Sequence, residues 1–313
     1  MTDRVTVVLP ALEDQELLAR HLPPLLAELD ARGKDEDVHL VDDTGRDVLS
    51  DWVRDQFPGR VRVLVREKNG GFGKSLRTGA RLGMTEFLLA LNPDVKVRPG
   101  FLQPLIDALE DRNVLAATPR ILLDGDPDKI ESHQALVVED GRLVLVPRKP
   151  RRGTAINSIP FPIGGAMLVR RQEFLDEGGF DPLFEPFYME DLDLGLTMWR
   201  RGGRVVEVPE SVVEHHHMGT IGRVIPESLR LAAIERNRLL VHWKHLDQRE
   251  DAQEHLAALW RDALDAGLAG RREELLWMAL ALQDLDRVTD SRRQVGQVRR
   301  GLAQTLIESD PTG

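Results

Sequence analysis

The chain has 313 residues, enough for one large domain or a main domain with an accessory piece, and its 42% hydrophobic and 30% charged residues are ordinary for a globular protein. Forty-two basic residues against 52 acidic ones give a net charge of -10, which argues against nucleic acid as the default partner, since phosphate-backbone binding needs a basic footprint. There is no cysteine, so disulfides and thiolate metal sites are excluded.

Met1-Thr2-Asp3-Arg4 runs into a strand-like segment with no apolar run of signal-peptide length, and no stretch of about 18 uncharged apolar residues follows. The expected location is cytoplasmic, with peripheral membrane contact left open. Thr6-Val7-Val8-Leu9-Pro10 reads as a buried strand. Helical spacing from Gln15 to Ala31 (Leu17, Leu18, Leu22, Leu25, Leu26, Leu29) then stops at Gly33. Val38–Val41 is a second strand, Val48–Gln56 a helix, and Val61, Val63 and Val65 alternate as a third strand. Helix Lys74–Gly83, strand Phe87–Leu91, helix Phe101–Glu110 and strand Val114–Thr118 complete a strand–helix alternation. That alternation predicts an α/β fold with a mostly parallel sheet, whose ligands bind where strands end.

Ala135–Val138 and Leu143–Val146 flank a turn and read as a hairpin. Arg148–Gly153 is a basic, turn-rich loop, either solvated or a flap over phosphates. After Pro226 the pattern is helical: Glu227–His245, Ala252–Ala266, Glu273–Leu285 and Val295–Ile307. The expected division is a domain over 1–225 and a helical extension over 226–313, which leaves open a homodimer through those helices.

Five constellations carry candidate chemistry. Asp42 and Asp43 close a strand, where a carboxylate accepts from a nucleobase or ribose hydroxyl or caps a helix. Asn69-Gly70-Gly71-Phe72-Gly73-Lys74-Ser75-Leu76-Arg77 is glycine-rich and opens a helix, so its amides and the Lys74 and Arg77 charges suit an anion. It is neither GxxxxGK[ST] nor GxGxxG. Asn92-Pro93-Asp94 follows an apolar strand, and Asp94 either meets a hard cation such as magnesium or manganese or forms a turn. Glu190-Asp191-Leu192-Asp193-Leu194 puts three acids at a helix start, where they line a pocket or complement the macrodipole. His215-His216-His217 are adjacent, so at most one or two of them reach a single metal.

In this order and spacing the segments resemble the inverting family 2 glycosyltransferases of GT-A fold, in particular their rhamnosyltransferase-like members. The resemblance covers roughly residues 4–245 and rests on Glu190–Leu194, Gly164-Gly165-Ala166-Met167-Leu168 and Gly178-Gly179-Phe180-Asp181. It implies a Rossmann-like sheet flanked by helices and a nucleoside-diphosphate-sugar donor. Pro10, Asp42, Asp43, Asn69, Gly71, Gly73, Lys74, Arg77 and Asn92 would then help bind that donor. Asp94 and His216 would meet a divalent metal (Mg or Mn), Asp191 would be the general base, and Glu190 would shape the acceptor site. The implied acceptor is a glycan or lipid-linked hydroxyl, as in polysaccharide biosynthesis. Asn92 stands where the metal motif usually has an acid, Asp42–Gly45 lacks the common Asn-x-Ser continuation, and Arg77 replaces a frequent Asn. Two other classes stand beside this one: a non-catalytic assembly protein of the same fold, and a sugar nucleotidyltransferase. The latter needs a glycine-rich loop after the first strand, where this chain has Pro10-Ala11-Leu12-Glu13-Asp14.

Overall fold

The computed structural model describes residues 4–34, 36–149, 156–216 and 226–312. His217 and the 150–153 part of the basic loop lie outside the described residues. Strands β1 (Val5–Ala11), β2 (Asp37–Asp42), β3 (Arg62–Val65) and β4 (Phe87–Leu91) build the first half of one sheet, in the order β3-β2-β1-β4 and parallel throughout. Helices α1 (Gln15–Ala31), α2 (Ser50–Gln56) and α3 (Phe72–Leu82) make the connections. Strand β4 is an unbroken apolar run, and β1 is one interrupted by Thr6, because both of their faces are covered. On one face Val5, Val7 and Leu9 pack with the α1 leucines, and on the other Val8, Leu88 and Ala90 pack with Leu76 and Ala80 of α3. Gly79 lets α3 lie this close, since a Cβ there would come within 2.5 Å of the Val8 side chain.

Beyond β4 the sheet is mixed. It continues β10 (Ala166–Arg170), β6 (Val114–Leu123), β11 (Arg204–His215) and β5 (Val95–Val97). Strand β10 is antiparallel to both neighbours, β11 runs parallel to β6, and β5 is antiparallel to β11. The two-residue strand β9 (Asn157–Ser158) pairs with β11, and α4 (Leu102–Ala108) and α5 (Arg171–Asp176) cover the sheet. The hairpin forms as a separate pair, β7 (Gln134–Glu139) with β8 (Arg142–Pro147).

Helix α6 (Glu190–Arg200) begins at the acid run, so Glu190, Asp191 and Asp193 belong to its first turn. It packs tightly enough on the 160–161 backbone that a Cβ at Gly195 would sit 2.4 Å from the Phe161 Cα. The C-terminal helices are α7 (Glu227–His245), α8 (Arg249–Leu268), α9 (Arg272–Gln283), α10 (Leu285–Gln294) and α11 (Leu302–Glu308). The expected helix Val295–Ile307 is corrected: Gly296 turns at φ 74°, and the Arg299 and Arg300 amides leave the helical ladder to donate to the Arg200 carbonyl at 2.7 and 3.1 Å. Leu239, Leu240 and Val241 of α7 share one buried cluster with Leu192 and Leu196 of α6 and with Leu136 and Leu143 of the hairpin.

Candidate active site

An open cleft of about 1010 Å³ lies where the loops after β1, β2 and β4 meet the start of α6. Of the residues singled out in the sequence, Pro10, Asp43, Asn69, Gly71, Asn92, Asp94, Glu190 and Asp191 line it together. Asp42, Gly73, Lys74, Arg77 and His216 do not.

The reasons are local. The Asp42 side chain is fully buried and accepts from Thr44 N–H (3.0 Å), Thr44 Oγ1 (2.6 Å), Val48 N–H (2.8 Å) and Leu49 N–H (3.2 Å). These donors make it a loop clamp ahead of α2. Asp43 pins the glycine-rich loop, accepting from Gly70 N–H at 3.0 Å and Gly71 N–H at 2.8 Å beside an Arg66 ion pair at 2.7 Å. Gly71 has φ 81° and an added Cβ would strike the Pro186 carbonyl at 2.8 Å, so only glycine passes there. Lys74 turns away to pair with Glu185 at 2.7 Å. Together with Gly73 and Arg77 it lines a smaller pocket behind the loop.

The acid turn is assembled by three groups. Tyr188 and Met189 both take left-handed backbone, φ 71° and 72°, a conformation costing on the order of 1–3 kcal/mol per residue. Buried Asn237 of α7 holds that turn through its Nδ2, which donates to the carbonyls of Phe184 (2.9 Å), Phe187 (3.0 Å) and Tyr188 (2.9 Å). Asp193, one turn along, is locked by Lys244 Nζ at 2.7 Å and His245 Nε2 at 2.8 Å, and Lys244 also reaches Asp181 at 2.8 Å. Burial opposes the Asp193 charge, but Lys244 and His245 outweigh it and hold its carboxyl below the usual range.

Asp191 accepts from Gly164 N–H through Oδ2 (3.0 Å) and from Leu192 N–H through Oδ1 (2.8 Å). Each oxygen keeps a further lone pair. Burial raises its pKa, against these two hydrogen bonds. Burial and the Asp191 charge push the neighbouring Glu190 carboxyl up to about 8, and Glu190 Oε2 is buried without a hydrogen-bond partner among the described residues. The folded chain therefore holds a proton on Glu190 that the unfolded chain, with its ordinary value of 4.5, has released. Stability from this group is full below about 4.5 and fades as pH rises towards about 8. Urea unfolding across that window should show the decline in wild type and a flatter profile in Glu190→Gln; parallel profiles would contradict the assignment.

Asp94 is 5% exposed, and its Oδ1 lies 3.4 Å from His215 Nε2, at the long end of hydrogen-bond distance. His215 ends β11 opposite Val95 of β5, and its Nδ1 lies 2.7 Å from Glu131. Burial alone would lower the His215 pKa. The hydrogen bonds and charges of Asp94 and Glu131 outweigh it and push the imidazole up to about 10. His216 is on the other side of the strand end, its ring stacked on His21 at 5.8 Å, so the histidine beside Asp94 is His215 rather than the expected His216. Among the described residues no group of three or more His, Cys, Asp or Glu side chains forms a ready-made metal cage.

The sequence reading missed Glu131, Glu227 and Arg230, all of which line the cleft together with His215 of the histidine run. Glu131 carries no local motif and is delivered by a main-chain bond to β6 (Glu131 N to Ile121 O, 2.9 Å). Seven carboxyl groups (Asp14, Asp43, Asp94, Glu131, Glu190, Asp191, Glu227), of which Glu190 holds its proton, line the cleft beside two cationic side chains, Arg230 and His215.

The family model for glycosyl transferase family 2 matches residues 6–176. The N-acetylglucosaminyl-diphospho-decaprenol L-rhamnosyltransferase of Mycobacterium tuberculosis is 30% identical over 245 residues, covering 70% of this chain and 79% of that protein. A structure of GalNAc-T7 with UDP, GalNAc and Mn2+ superposes with a TM-score of 0.63 at 19% identity, over 78% of this chain and 48% of that one. The mannosyltransferase PcManGT of Pyrobaculum calidifontis, solved with GDP-Man and Mn2+, superposes at 0.53 and 17% identity, over 98% and 85% of the two chains. These likenesses show a GT-A fold, and the family match with the rhamnosyltransferase relative places this chain in glycosyl transferase family 2, as a glycosyltransferase.

Proposed function

We propose that the chain transfers a sugar from a nucleoside-diphosphate sugar to an acceptor hydroxyl with inversion at the anomeric carbon, Asp191 acting as general base. The observation that carries this reading is the seat of Asp191. Two backbone N–H groups fix its carboxylate at the wall of the same cleft that holds Asp94, with lone pairs left for an incoming hydroxyl. In the step, Asp191 takes the acceptor proton as the acceptor oxygen bonds to the anomeric carbon. The bond from that carbon to the diphosphate oxygen breaks, and its electron pair leaves with the nucleoside diphosphate. A single well-placed base suffices for such a displacement, and general-base assistance is worth about 10²–10⁴-fold.

The donor end is assigned to Pro10, Asp43, Asn69, Gly71 and Asn92. A Cβ at Gly165 would meet Asn92 Nδ2 at 2.5 Å, which gives Gly165 a part in seating that amide. The acceptor end is assigned to the Phe187 and Tyr188 rings beside Glu190, with a glycan or lipid-linked hydroxyl as the acceptor class, after the lipid-linked substrate in the relative's name.

A doubly anionic diphosphate entering a cleft with this excess of carboxylates needs a counter-cation. Asp94, a buried carboxylate whose Oδ1 meets the long 3.4 Å contact from His215 Nε2, fits one divalent ion; magnesium and manganese commonly use one or two carboxylates and complete their shell with substrate phosphate. Bound there, the ion would neutralise charge on the departing diphosphate. Arg230 supplies a second positive charge from the protein itself. The 1–225 and 226–313 division is part of this reading, with α7 serving to hold the acid turn. We expect Asp94→Ala to remove the Mn2+ enhancement of nucleoside-diphosphate binding in calorimetry and leave metal-free binding unchanged or stronger. Equal Mn2+ enhancement in both proteins would rule out the role.

A further inference from the structure

Asn237 can hold the acid turn only with its amide turned one way. Its Nδ2 faces the carbonyls of Phe184, Phe187 and Tyr188, and its Oδ1 accepts from Arg236 Nη1 at 2.5 Å. Turned over, the amide would set its oxygen against three carbonyl oxygens and its hydrogens against a guanidinium. A guanidinium donates and never accepts, so Arg236 enforces the orientation that the turn needs. Arg236 is itself held. Asp284, at the junction of α9 and α10, accepts from its Nε at 3.0 Å and from its Nη2. The same carboxylate takes Arg287 Nη1 at 2.8 Å, and Arg287 Nη2 reaches the Pro182 carbonyl at 2.8 Å. Two arms therefore run from one carboxylate of the C-terminal helices to the 182–188 segment that leads into Glu190 and Asp191.

We propose that Arg236, anchored by Asp284, is a positioning residue for sugar transfer, acting through the Asn237 amide to fix the turn that aims Asp191. The proposal rests on the reading of Asp191 as general base. Neither Arg236, Asn237 nor Asp284 lines the cleft, so each acts on the reaction through the turn alone. The Arg236 and Asp284 side chains are 14% and 15% exposed, and charge-assisted bonds between them hold the guanidinium more firmly than a neutral pair would. A lysine could not replace it, since one ammonium lacks the fixed fork that meets Asp284 and Asn237 at once. The segment it steadies carries Tyr188 and Met189 in left-handed backbone, which has lower-energy alternatives to relax into once its ties are cut.

Tyr188 is the only tyrosine in the chain, so fluorotyrosine labelling gives a single fluorine resonance from the turn itself. Arg236→Met should shift or broaden that resonance. It should also lower kcat, per mole of donor-binding site, by about ten- to hundred-fold with donor KM within a few-fold of wild type. Asn237→Ala should do the same, and the double variant should be little worse than Asn237→Ala alone, because the arginine acts through the amide. Arg236→Lys, which keeps a charge beside Asp284 and loses the fork, should move both readouts in the same direction and serves if Arg236→Met does not fold. An unmoved resonance with unchanged kcat in the Arg236 variants, or losses in kcat that add in the double variant, would overturn the proposal. Failure of the base assignment looks different: Asp191→Asn would then transfer at the wild-type rate, while the Tyr188 resonance would still move in Arg236→Met.

Discussion

Asp191→Asn should lower the rate of sugar transfer by about 10²–10⁴-fold while leaving nucleoside-diphosphate-sugar binding within a few-fold of wild type. The amide is nearly isosteric and its oxygen can still accept a backbone N–H, so the first turn of α6 keeps one of its two ties, from Gly164 or from Leu192. What it loses is the lone pair basic enough to take a proton. The measurement is a KM-against-kcat comparison with donor and acceptor varied separately. A fall confined to kcat, with both KM values preserved, is expected of a missing base. A rise in donor KM with kcat intact would instead make Asp191 a donor-binding residue. Glu190→Gln should be much milder, since Glu190 already holds a proton near neutrality.

Asp193→Ala should have the largest effect on stability, on the order of 3–5 kcal/mol, because it leaves buried charge without its partner. Asp193, Lys244 and His245 are 3%, 5% and 0% exposed and join α6 to α7 across the interior. Removing the carboxylate leaves Lys244 with Asp181 alone and His245 Nε2 with nothing. Urea unfolding should show the midpoint falling with little change in slope. A loss below about 1 kcal/mol would mean that water replaces the carboxylate and that the network is not what secures the extension. Asp193 thus sits two residues from the proposed base and has a different task. In the sequence the three acids look alike, and only their partners separate them.

The first half of the fold was legible because β1, β2 and β4 are short apolar runs between helices of clear period, and burial on both faces leaves such runs little else to be. Strand β11 was not. Glu207, Pro209, Glu210 and Glu214 interrupt its apolar pattern, and Glu207 is fully buried, which is possible only because Arg120, His133 and Asn157 neutralise or bond its carboxylate from other elements. Without β11 the sequence could not decide which of the adjacent histidines stands beside Asp94. Side-chain direction alternates along a strand, and the pairing of His215 with Val95 of β5 decides which imidazole faces Asp94. Lys74 and Arg77 follow the glycine-rich loop in sequence, yet they line the smaller pocket and not the cleft.

Asn237 shows the opposite limit. A polar residue inside an amphipathic helix carries no signal on its own. Its importance lies in three carbonyls about fifty positions earlier, on the turn that carries the left-handed residues Tyr188 and Met189. The acids were readable from the sequence, whereas the residues that aim them were not.

The central claim, that this cleft turns over a sugar nucleotide, is tested most directly by nucleoside diphosphate release from a panel of nucleoside-diphosphate sugars, with and without Mn2+. Wild type should release nucleoside diphosphate from at least one donor, faster with Mn2+, and Asp191→Asn should bind that donor and release little. No release and no calorimetric binding with any donor, or release at equal rates from wild type and Asp191→Asn, would contradict it.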